Sequence, residues 1–199
     1  MSAKAAGRDR PTLTERARRA QFIQVTIDLV ARHGYAGTSL AKIAEAAGVS
    51  KAAVLYHFPT KNAVVQAAYA EVIEALTDHV GTELSARSGA AALETYVRSL
   101  VSYMTAHHGH ARMIIAAITE DSGVGDGTTS ASRWQNVGLL IDAAKGAGDY
   151  RPEIDSRATA VIANGAVDAI VAQWLEDPGF DAAAAAEALV EMLDRSLRV

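Results

Sequence analysis

Apolar residues recur along this chain at intervals of three and four, with polar residues between them. Period-two alternation is never sustained, and no Asn-Gly or Asp-Gly pair joins two β-branched runs. The pattern therefore predicts an all-α protein of about nine helices punctuated by Gly, Pro and short polar turns. Thr12-Leu13-Thr14-Glu15 has the form of a capping box, in which a hydroxyl and a carboxylate satisfy free N–H groups. The helix it opens carries Ile23, Thr26, Ile27 and Val30 on one face and is expected to stop at Gly34. Thr38 is expected to open a short helix over 39–47, stopped by Gly48. Ser50 caps another over 51–57, stopped by Pro59. Thr60 then caps a long helix with Val65, Ala68, Val72, Leu76 and Val80 in register.

Five further helices are expected beyond Gly81. The first spans about 90–107, with Leu93, Val97, Leu100 and Met104 on one face, and the second about 111–120. A Gly- and Ser-rich loop is expected over 121–130. The helix after it runs to Lys145 with Trp134, Val137, Ile141 and Ala144 aligned. Arg151-Pro152 marks the start of a helix reaching Glu176, which Asp177-Pro178-Gly179 breaks. The last, over 181–197, carries Ala182, Ala186, Leu189, Leu193 and Leu197.

Composition narrows the function classes. Half of the 199 residues are apolar and four are Pro, which opposes extensive disorder. Cysteine is absent, so disulfides and thiolate chemistry are excluded. No apolar run is read as approaching the ~20 residues of a membrane span, and residues 1–11 form a polar, basic arm without a signal-type segment. The expectation is a soluble, cytoplasmic protein. Charge divides the chain: residues 1–62 hold ten Lys/Arg against four Asp/Glu, and residues 63–199 hold nine against nineteen. A basic head on an acidic body fits a protein that meets a polyanion at one end. The expected domains are accordingly 1–62 and 63–199.

Two short helices joined by a tight turn carry the most information, in Thr38 to Tyr56, TSLAKIAEAAGVSKAAVLY. Leu40, Ile43, Ala44 and Ala47 give the first a buried face, and Gly48 suits the positive φ of the turn. Val49, Ala53 and Val54 are expected to point inward, and Ser50, Lys51, Ala52, Leu55, Tyr56 and His57 outward. This is helix-turn-helix logic, in which the first helix braces the second against the major groove.

Arg32-His33-Gly34-Tyr35, Thr38-Ser39, Ile43-Ala44, Ala47-Gly48-Val49-Ser50 and Tyr56-His57-Phe58-Pro59-Thr60-Lys61 together resemble the tetracycline-repressor (TetR) family over about residues 15–70. The resemblance implies a three-helix DNA reader, a linking helix, an all-helical effector-binding body and a homodimer formed by the last two helices. It places Thr38 and Ser39 at phosphate, and Ser50, Lys51, Ala52 and Ala53 at bases, with Lys51 the best donor to guanine. It also places Tyr56 and His57 at phosphate and sugar, and Lys61 at phosphate. A phosphate there would offset a cation opposed to the helix dipole.

In the body, the resemblance implies a small-molecule pocket, with Met104, His107, Met113, Trp134 and Trp174 as candidate lining; core packing is the competing reading of each. Asn164 and Asp168 lie one turn apart in an apolar segment and fit a ligand contact, a dimer contact or a solvated edge. His107-His108-Gly109-His110 supplies imidazoles without a full ligand set, so no metal and no cofactor is expected. Gly165, Ala166, Ala169, Ala172, Ala185 and Ala188 would let the last two helices approach a partner closely. The segment Gln173 to Pro178 resembles a subgroup that includes choline-responsive repressors, but is too short to transfer a ligand. No Walker loop, His-Glu-x-x-His or nucleophile elbow is present, so an enzyme is not expected. The expected function is a repressor that binds a near-palindromic duplex operator as a dimer and is released by a small molecule. A DNA-binding dimer under no ligand control, or an activator, is the alternative.

Overall fold

A computed structural model describes residues 12–119 and 127–199, with side chains described over 12–118 and 133–199. The basic arm 1–11 and the expected loop residues 121–126 lie outside them. The described residues form α1 (Leu13–Gly37), α2 (Leu40–Ala46), α3 (Lys51–His57), α4 (Lys61–Leu84), α5 (Ala90–Ala106), α6 (His108–Thr119), α7 (Gly127–Gly146), α8 (Ser156–Glu176) and α9 (Ala182–Leu197). Their one extended pairing is an antiparallel bridge between Tyr150 and Arg198. The all-α expectation holds.

The capping box forms: Thr12 Oγ1 accepts from Glu15 N, and Glu15 Oε2 accepts from Thr12 N at 2.7 Å. Helical geometry breaks at Gly34 (φ 68°), and a short turn carries α1 on to Gly37. Ser39, not Thr38, caps α2, its Oγ accepting from Lys42 N. Thr38 is buried and its hydroxyl donates to Gly34 O at 2.9 Å, which closes the turn after α1.

Three further departures have local causes. Gly109 does not end a helix; it lies inside α6 facing α1, where a Cβ would make ordinary contact with Ile27 Cγ2 at 3.5 Å. Residues 127–130, expected in a loop, begin α7. Arg151-Pro152 precede α8 by a turn, and Asp155 caps it by accepting from Ala158 N. α8 is also long and apolar enough by composition to cross a membrane, at mean hydropathy 1.3, which the sequence reading did not register. It carries Arg157 and Asp168 and lies against α7 and α9.

Phe22, Ile27, Ile43, Val54, Phe58 and Val64 close the core of α1–α3 with the start of α4. Behind it, α5 runs through the body against α4, α7, α8 and α9. α5 has no side-chain cap from its own segment. Instead Asp149, 59 residues later, accepts from Ala90 N at 2.9 Å. Gly89 (φ 58°) makes this possible, since a Cβ there would stand 2.0 Å from Asp149 Oδ2.

Candidate nucleic-acid interface and ligand cavity

Positive φ at Gly48 (68°) turns the chain between α2 and α3. Val54 and Phe58 anchor α3 in the core, and Ser50 caps it by accepting from Ala53 N at 3.2 Å. The anchored face dictates the free one: Ser50, Lys51, Ala52, Leu55 and Tyr56 are exposed, Tyr56 to 75%. Ala53 and Val49 are half-buried, so Ala53 is at the edge of the face. His57 was expected outward but is half-buried, with its ring edge-on to Phe22 (5.5 Å) and Tyr56 (5.0 Å).

Several polar contacts organise this face. Tyr56 OH donates to Glu15 Oε1 at 3.3 Å. The Glu15 carboxyl is held below its ordinary pKa, chiefly by the Thr12 N–H and then its hydroxyl, with Tyr56 a smaller cause. Arg19, which the sequence reading did not single out, donates to His57 O at 3.2 Å and lies 4.1 Å over the Phe58 ring. It thereby closes the C-terminal end of α3. Its signal was the cluster Arg16, Arg18, Arg19, whose side chains are exposed on α1. At the other edge, Ser39 is half-buried and Lys42 Nζ donates to Gly37 O at 2.7 Å. Lys61 is the first residue of α4. Its Nζ donates to Tyr35 O at 3.0 Å and sits 3.8 Å from the Tyr35 ring centroid. These contacts offset part of the cost of a cation at a helix N-terminus.

A cavity of about 280 Å³ opens between α4, α5 and α7. Ile73, Leu76, Val80, Leu84, Leu100 and Leu140 make it apolar, and Thr77, Tyr96, Arg133 and Asn136 contribute its polar groups. Behind it lies a polar network, buried at Tyr96 and Asn164 and half-buried at Arg133 and Asp168. Arg133 donates to both oxygens of Asp168 (2.8 and 3.3 Å), while Tyr96 OH donates to Asn164 Oδ1 (2.7 Å) and Asn164 Nδ2 to Ala160 O. Burial raises the Tyr96 phenol above its ordinary pKa. Burial is the strongest influence on Arg133 and opposes its charge, but the hydrogen bonds and charge of Asp168, with Tyr96 and Tyr69, together outweigh it and keep the guanidinium's pKa above its usual value. A larger open groove of about 500 Å³ on α4 and α5 is polar, and its Arg98 is paired with Glu94 and Glu187.

The candidate pocket residues are not brought together. Met104 and Met113 are core residues, each 1% exposed. His107 lies at the α5–α6 joint, stacked on Tyr103 at 4.2 Å with Nδ1 bonded to Tyr103 O. Trp134 is covered by Arg157, and Trp174 meets His108 edge-on. None of these five lines the cavity. Asn164 and Asp168 stand one layer behind it and hold two of the polar residues that do line it, Tyr96 and Arg133. Among the described residues, no three His, Cys, Asp or Glu side chains are grouped to hold a metal.

Residues 22–68 match the family model of bacterial regulatory proteins, tetR family. Over this segment the chain is similar to the DNA-binding domain of the TetR family. The chain is also 36% identical over 58 residues to the HTH-type transcriptional regulator RutR of Escherichia coli K12, a stretch covering 29% of this chain and 27% of RutR. It is 38% identical over 64 residues to the HTH-type transcriptional regulator BetI of Ectopseudomonas mendocina, covering 32% and 33%. The match thus spans about a quarter to a third of these curated relatives. Solved structures share the fold over most of the chain. The fatty acid degradation regulator FadR of Bacillus halodurans superposes with a TM-score of 0.78 at 20% identity, over 93% of this chain and 96% of that one. A transcriptional regulator from Saccharomonospora viridis, solved with choline, superposes at 0.79 and 19% identity over 92% and 99%. FadR of Bacillus subtilis, solved with stearoyl-CoA, gives 0.78 at 17% over 87% and 96%.

Proposed function

We propose that this chain is a cytoplasmic, dimeric transcriptional repressor whose grip on DNA is released when a small molecule enters the α4–α5–α7 cavity. The observation that carries the reading is the continuity of α4. Lys61 begins it beside the reading face, and Ile73 to Leu84 on the same helix wall the cavity. Its 24 residues span about 36 Å at 1.5 Å each, so a change at one end moves the other. The reader, 1–62, and the body, 63–199, meet within its first turn. A ligand that prefers one reader spacing lowers DNA affinity, and DNA lowers ligand affinity by the same factor. Fold relatives solved with stearoyl-CoA and with choline support ligand control.

On the reading face, Lys51 and Tyr56 contact bases and backbone, Ser50, Ala52 and Ala53 set the closeness of approach, and Ser39 and Lys61 meet phosphate. His57 positions Tyr56, and Thr38 serves through the turn it closes. Two such faces enter successive major grooves about 34–36 Å apart. Dimerisation through α8 and α9 is supported by exposed apolar side chains, Val161 (51%), Ile162 (65%) and Met192 (68%), beside the exposed small residues Gly165, Ala169 and Ala188. Selection of bound fragments from random duplex DNA tests the reading. The expected result is an inverted repeat with half-sites about one helical turn apart; recovery of unrelated sequences at low salt would reject it.

A further inference from the structure

The cavity assigned above to the effector has a polarity that constrains what enters. Its aliphatic wall comes from α4, α5 and α7, and its one charged lining residue among those described is Arg133. Asp168, the partner of Arg133, does not line the cavity, so the positive member of the pair faces inward. Asp168 occupies one guanidinium hydrogen on each terminal nitrogen, and the fork has five donors in all, leaving donors for an acceptor inside the cavity. Tyr96 is the one aromatic among the described lining residues, whereas recognition of a quaternary ammonium uses several ring faces around the cation. No described carboxylate lines the wall to compensate such a charge.

We propose, resting on the cavity being the effector site, that the ligand is a compact aliphatic carboxylate. Its chain lies against Leu76, Val80 and Leu100, and its carboxylate accepts from Arg133. Asn136, on the same wall, is a further donor. The Arg133–Asp168 pair thereby selects against cations, in contrast to the choline bound by one fold relative. Asn164 holds Tyr96 from behind and Asp168 holds Arg133, so both act as positioning residues rather than ligand contacts. The size suits a short chain, because about 280 Å³ lies at the lower end of the ~300–1,000 Å³ typical of ligand pockets.

The test uses three probes of equal chain length, octanoate, octanol and octyltrimethylammonium, titrated calorimetrically into the full chain. Octanoate is expected to bind at least about ten-fold tighter than the ammonium, the size of one hydrogen bond to a charged group. Removing Arg133 alone would leave the half-buried Asp168 carboxylate without its partner, so the informative variant is Arg133→Leu with Asp168→Leu, which replaces the pair by apolar packing. In this double variant the preference for octanoate over octanol should collapse, while octanol binding persists. Leu100→Trp, which fills the cavity, should abolish binding of octanoate and octanol. Equal or tighter binding of the ammonium in the intact protein, lost in Leu100→Trp, would overturn the carboxylate assignment and leave the cavity as the effector site. Octanoate binding unaffected by Leu100→Trp, or no binding of any probe, would overturn both.

Discussion

Lys61 and Lys51 are both cations on the reading side, but their surroundings differ. Lys61 is half-buried and held against Tyr35, whereas Lys51 is exposed on the first turn of α3. A fixed cation suits an invariant backbone, and a free donor suits a base edge. Lys61→Ala should weaken binding to specific and random duplexes alike and reduce the salt slope by about 1, whereas Lys51→Ala should also relax base preference at a cost of about 1–3 kcal/mol. Gel-shift titrations over a salt series check both; parallel losses from the two variants would reject the division. Tyr150 gives a prediction outside the interface. Burial, then the nearby Asp194 and Glu94 charges, push its phenol up to about 12, against about 10 when unfolded. The neutral form is favoured in the fold, so its stabilisation is complete below pH ~10 and is lost as pH rises toward ~12. Tyr150→Phe should therefore reduce the alkaline loss of stability by about 1 kcal/mol, read by urea denaturation at about pH 8 and about pH 11. At this scale the exposure of Lys51 and Tyr56 was legible, because Gly48-Val49-Ser50 sets which side of α3 turns inward. The half-burial of His57 was not, since it depends on Phe22, which spacing alone does not bring near, and the burial of Thr38 follows from a turn that continues past Gly34.

Helix boundaries follow from caps and breakers, and most were legible for that reason. Thr12, Ser50 and Thr60 each accept from an N–H three residues on, as their placement before apolar stripes implied. The start of α7 was not, because Gly127 and the Thr and Ser residues after it have the composition of a loop and become helical only in context. The cap of α5 was also hidden, since Asp149 supplies it from the α7–α8 turn. Gly89→Ala should be severely destabilising: it combines a left-handed φ with a clash against that carboxylate and the loss of a cap, together roughly 2–4 kcal/mol. Gly148 also has positive φ (81°) but meets nothing within 4 Å, so Gly148→Ala should cost only about 1–2 kcal/mol. Thermal unfolding of the two variants compares them directly, and similar losses would show that the Asp149 contact contributes little. The cavity was illegible at this scale, because a helical stripe shows which side is apolar but not where three helices diverge. Large side chains such as Met104 and Met113 fill the core instead.

For the whole molecule, the division of charge fits a DNA-facing end joined to a body that carries the remaining interfaces. If α8 and α9 form the dimer, Ile162→Glu should yield monomers in sedimentation and weaken operator binding by at least about ten-fold, since each half-site would then be bound alone. A dimer that survives this change would place the interface elsewhere. The fold class and the helix-turn-helix were legible in the chain because caps, apolar stripes and the Gly48 turn are local signals. The body's function was less so, because Tyr96 with Asn164 and Arg133 with Asp168 are pairings across 68 and 35 residues. The same difference in range bears on biosynthesis. The reader's core closes among neighbours in sequence and can form as soon as they leave the ribosome. The first turn of α5 must wait for Asp149, a delay of roughly 3–12 s at 5–20 residues per second. A growing chain would therefore carry a finished DNA-reading head for several seconds while its helical body is still open.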